Sequence, residues 1–178
     1  MSSRIVLALF VAMVVLGSAT LAPAGDECTF TKAMINSVNL HKQARDLYVA
    51  HGDFKPVLKE IEGPQKAVIE ICVKELKEKN EHHPGNFVKL CAKAAGLPTS
   101  GAKCDDSFIK DGWDILAFWH GLKLFKAELV ELVKTAQTPE EKALYEKYLT
   151  QVTDLRGKAR ERHHQFFSGG GCDGSCEN

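Results

Sequence analysis

The chain has no surplus of either charge: 23 lysines and arginines stand against 23 aspartates and glutamates in 178 residues. That balance, with the signs mixed along the sequence, gives no field to steer it toward nucleic acid or an anionic membrane. It also lacks an N-x-[ST] sequon, so N-glycosylation is not expected. No H-E-x-x-H, no cysteine/histidine finger spacing and no G-x-S-x-G elbow is present. No cofactor, metal or catalytic role is therefore assigned, and an enzyme is not expected. There is no internal repeat. Beyond the N-terminus, no segment is apolar for long enough to span a bilayer.

The N-terminus holds the one long apolar run. Arg4 precedes Ile5 to Leu16, and Ala22-Pro23-Ala24 has the small-residue pattern of a signal-peptidase site. Residues 1–24 read as a signal peptide, and the mature chain is expected to start at Gly25 or Asp26. Losing Arg4 leaves the mature chain at about −1, one basic residue fewer than its 23 acidic ones. The expected location is extracellular.

Cysteine is sparse but even in number. Cys28, Cys72, Cys91, Cys104, Cys172 and Cys176 all lie beyond the expected cleavage site. In a secreted chain this pattern reads as three disulfides. The density is too low for the bridges to replace a hydrophobic core. The spacing lacks the paired cysteines of saposins and the C-C-x-x-H site of secreted phospholipases.

What the chain does have is a helical apolar pattern. Asp105 to Ala136 carries both tryptophans and is apolar around most of its circumference, as a central buried helix is. Thr138-Pro139-Glu140-Glu141 is a capping box with proline at the first helical position. It opens a last helix of similar length, on which Tyr145, Tyr148, Leu149, Val152, Leu155 and Ala159 recur at threes and fours. The two should form an antiparallel hairpin. Upstream, Phe30 to Ala50 reads as a first helix, and Phe54 to Ile61 as one or two short amphipathic turns. Gly63-Pro64 then opens a second helix, with Val68, Ile71, Cys72 and Leu76 inward and Lys74 to Lys79 as its wet end. Asn80 to Gly85 reads as a turn. A short third helix, Asn86 to Ala95, has Phe87, Leu90, Cys91 and Ala94 inward.

The fold class that follows is all-α: an antiparallel bundle of four main helices plus one or two short ones, stapled by three disulfides. Residues 25–168 make a single domain, and 169–178 a glycine-rich, disulfide-bonded tail. The hairpin geometry pairs Cys104 with the tail and Cys72 with Cys91. Cys28 takes the other tail cysteine if the Phe54–Ile61 segment turns the chain back.

The paired histidines, His82-His83 and His163-His164, read as solvated residues at helix ends, and His120 as a boundary residue. Trp113, Phe118, Trp119 and Phe125 read as core that could alternatively line a site for a lipid or other apolar ligand. The expected function is non-enzymatic interaction with an unidentified extracellular protein. The alternative is carriage of small apolar ligands in the bundle interior.

Overall fold

A computed structural model describes residues 28–37, 54–97 and 106–167. All the regular structure in these residues is helical. The described part of α1 covers 28–37, followed by α2 (Phe54–Lys77), α3 (His82–Ala95), α4 (Asp106–Thr135) and α5 (Pro139–Phe167). Among the described residues, no helix is long and apolar enough to cross a membrane. The signal segment, residues 38–53, Cys104, Cys172 and Cys176 lie outside the described residues.

α4 and α5 share the most extensive interface, and α2 and α3 pack against them. Between α4 and α5 the chain turns in three residues, 136–138. Glu141 N donates to Thr138 Oγ1 at 3.1 Å, and Gln137 N donates to Glu141 Oε2 at 3.0 Å. This is the expected capping box, except that Glu141 reaches the amide one residue before the cap. Trp119 of α4 stacks on His163 of α5, as an antiparallel register requires.

The all-round burial of the central helix holds for only part of its length. Ile115 to Phe118 are four consecutive buried residues, and His120, Gly121 and Leu122 continue the run. Beyond them Lys123, Ala127, Glu128 and Glu131 are exposed, while Phe125, Leu129 and Leu132 remain inside. The helix thus turns amphipathic as it approaches the hairpin loop. Gly121 lies where α4 passes α2 and α3. A Cβ there would come within 2.5 Å of Gln65 Oε1 and 3.1 Å of Phe87 Cζ. Phe87 of α3 sits at the centre of the core, edge-on to Phe125 at 5.7 Å and tilted against Phe118 at 6.4 Å.

Three sequence readings need correction. Residues 54–77 form one helix with Pro64 inside it, not a short amphipathic segment broken at Gly63-Pro64 and followed by a new helix. A proline within a helix loses one hydrogen bond, but Ile61, Gln65, Val68, Ile69, Cys72 and Leu76 are all buried along α2. Their shared packing carries the helix through. Residues 54–61 therefore do not themselves turn the chain back, and the tail cysteines expected near Cys28 lie outside the described residues. α3 begins at His82, not Asn86. Pro84 is accommodated in the first turn, where its missing N–H would have had no intrahelical partner. Finally, Leu90, read as inward, is 38 % exposed.

Candidate functional site

α2 closes with a left-handed residue. Lys79 has φ 59°, Asn80 N donates to Glu75 O at 2.8 Å, and Lys79 N donates to Leu76 O at 3.1 Å. These bonds make a Schellman motif with lysine where glycine is usual. The turn sets the start of α3 directly over Glu75. Glu75 Oε2 accepts from His83 N at 2.9 Å, and Glu75 Oε1 lies 2.6 Å from His83 Nδ1. Asn80 Nδ2 donates to Glu75 Oε1 at 3.4 Å, and Asn80 Oδ1 accepts from His82 N at 3.1 Å. Although it belongs to the run of charges expected to form the wet end of its helix, Glu75 is buried. The first amides of α3 need acceptors, and the positive end of the helix dipole favours an anion. A carboxylate from the preceding helix meets both needs.

His83 is likewise not solvated: it is 2 % exposed, and Phe30 of α1 stacks on its ring at 4.3 Å and 18°. The Nδ1 approach to Glu75 is close but off the line of a hydrogen bond, and Nε2 has no hydrogen-bond partner among the described residues. One residue earlier than His82, Glu81 binds α5. Lys147 Nζ is 2.6 Å from Glu81 Oε2, and the Tyr148 hydroxyl donates to the same oxygen at 3.0 Å. The lysine holds the Glu81 carboxyl below its ordinary range, although partial burial works the other way. Burial, and then the bond to Glu81, push the Tyr148 phenol well above its ordinary range.

This junction forms one end of a groove between α1 and α3. Phe30, Met34, Ile35 and Leu90 supply its apolar surface, with His82, His83, Asn86 and Lys89 beside them, and its volume is about 370 Å³. Ile35 is 55 % exposed; it and Leu90 are the large hydrophobics left in water among the described residues. A second groove, of about 530 Å³, runs between α2 and α4 over Ile69, Val73, Leu124 and Ala127. Its edges mix Lys66, Lys74 and Lys77 with Glu70 and Glu128.

Phe118 and Phe125 are buried in the core around Phe87, and Trp119 is half-buried on His163. They line neither groove. Trp113 is outside the residues whose side chains are described. His120 lies inside the bundle instead of at its boundary. Burial lowers its pKa from the usual 6.5, against the pull of Glu62. His163 is also lowered, by burial and then by His164.

Cys28 is exposed, whereas Cys72 and Cys91 are buried on α2 and α3, and no disulfide joins any two of the three among the described residues. Burial raises both buried thiols above their ordinary range, and the nearness of Cys72 adds to the rise at Cys91 because two thiolates would repel. No cluster of three or more potential metal ligands occurs among the described residues. No protein-family model, curated protein or solved structure matches the chain.

Proposed function

We propose that this is a secreted helical protein that acts by binding another extracellular protein. The observation that carries the reading is the groove between α1 and α3. There Ile35 and Leu90 leave apolar surface in water beside an otherwise well-filled core. Apolar surface gathered in a groove and rimmed by polar groups is the usual mark of an interaction site. Large core side chains such as Phe87, Phe125, Leu122 and Leu129 are fully buried, which favours surface binding over carriage of a ligand in the interior. Native mass spectrometry of material secreted from cells, with a fluorescent fatty acid as probe, tests the choice. The expected result is a lipid-free mass and no probe uptake. A co-purifying lipid would replace this reading with the carrier.

The disulfide framework belongs to the same proposal. Cys72 and Cys91 lie in one buried cluster on packed helices. Oxidation joins the two sulfurs with loss of two protons and two electrons to a disulfide-exchange oxidant of the secretory compartment. Cys104 pairs with a tail cysteine. Non-reducing peptide mapping should return a Cys72–Cys91 peptide; a Cys91–Cys104 bridge would overturn the assignment.

A further inference from the structure

The two helices that form the α1–α3 groove differ in charge from the rest of the chain. Neither residues 28–37 nor α3 contains an aspartate or glutamate. Together they hold Lys32, Lys89 and Lys93 besides His82 and His83, and of these lysines Lys89 lines the groove itself. This occurs in a protein whose acidic and basic residues balance at 23 each. The larger α2–α4 groove has both signs on its rim, so it offers no such selectivity.

We propose that the α1–α3 groove binds an acidic amphipathic helix of a partner protein, an inference that rests on the interaction reading above. The apolar face of that helix covers Ile35 and Leu90, and its carboxylates meet Lys89 and His82. From His82 to Leu90 the groove follows α3 for about 12 Å, two helical turns. Two apolar anchors one turn apart, at i and i+4, span about 6 Å and fit within that length. A small apolar ligand suits the site less well. Such ligands bury most of their surface within a pocket, whereas Ile35 at 55 % exposure stands out into water. Covering it takes a body that rises above the two helices, as a docked helix does.

Selection of a displayed peptide library on the mature, full-length chain tests the proposal. Enriched peptides should carry two apolar residues three or four apart, flanked by Asp or Glu. Their affinity should fall by about tenfold or more on Leu90→Asp and fall again with rising salt. Lys89→Glu should shift the selection toward Lys- and Arg-flanked peptides. Far-UV circular dichroism and thermal melts establish that each variant is folded, and Lys89→Glu, at an exposed position, tests the charge rule without touching the core. Enriched peptides that bind both variants as well as the parent chain would overturn the groove while leaving the interaction reading standing. Enrichment of basic or uncharged peptides on the parent chain would overturn the charge rule. Failure to enrich any peptide, combined with uptake of the fluorescent fatty acid, would overturn both readings in favour of a carrier.

Discussion

A buried histidine and a half-buried one should make the stability of this protein respond to pH. His120 and His163 have pKa values lowered by burial from the usual 6.5. Below that pH the unfolded chain binds protons that the folded chain resists, so stability drops as pH falls through 6.5 toward the folded values. Urea midpoints measured from pH 7.5 down to 5.5 should decline, and His120→Gln should flatten the decline. An unchanged slope in that variant would assign the effect elsewhere. Side-chain packing sets a second contrast. Phe125 is fully buried against Phe87, so Phe125→Ala should cost about 3–5 kcal/mol. Trp119 is half-buried, and Trp119→Ala should cost less in the same denaturant melts. Its mixed surroundings could not be foreseen from sequence, because residue spacing shows which face a side chain occupies but not how far the neighbouring helix covers it.

The helix ends and crossings separate what was legible from what was not. Asp105–Ala136 and the Thr138-Pro139 start were readable because periodicity and capping are local signals; the helices run Asp106–Thr135 and Pro139–Phe167. Thr138→Ala should lower stability by about 1 kcal/mol through loss of the bond to the Glu141 amide. The start of α3 was hidden because its cap is supplied by Glu75, eight residues before His83 and on another helix. A faint signal existed: Val68, Cys72 and Glu75 fall at i, i+4 and i+7, which places the carboxylate on the apolar face. The continuity of α2 was hidden because Gly63-Pro64 reads locally as a break. Glycines give opposite expectations according to their surroundings. Gly157→Ala, with nothing within 4 Å of the new methyl group, should stabilise by up to about 1 kcal/mol. Gly121→Ala should destabilise, because Gln65 and Phe87 are buried and cannot both retreat. Lys79→Gly should stabilise by about 1 kcal/mol by relieving the left-handed backbone. Paired urea titrations decide all three signs.

For the whole molecule, the class of fold was readable and the groove was not. The groove depends on Leu90 facing outward, whereas the helical pattern of α3 grouped it with Phe87, Cys91 and Ala94. Only the placement of α1 shows which of the four is left uncovered. Chemical access divides the cysteines in a similar way: before oxidation, iodoacetamide at neutral pH should label exposed Cys28 well ahead of buried Cys72 and Cys91. The three-residue connection between α4 and α5 has a consequence for the order of events in folding. Contacts between those two helices close short loops near the turn and progressively longer ones away from it, whereas α2 must reach α4 across α3 and the segment that follows it. Loop closure becomes more costly with chain separation, and local topology speeds folding. The hairpin should therefore form in the rate-limiting step, with α2 docking later. In stopped-flow experiments Leu129→Ala should slow refolding, while Val68→Ala should chiefly accelerate unfolding. The reverse pattern would place the folding nucleus at α2.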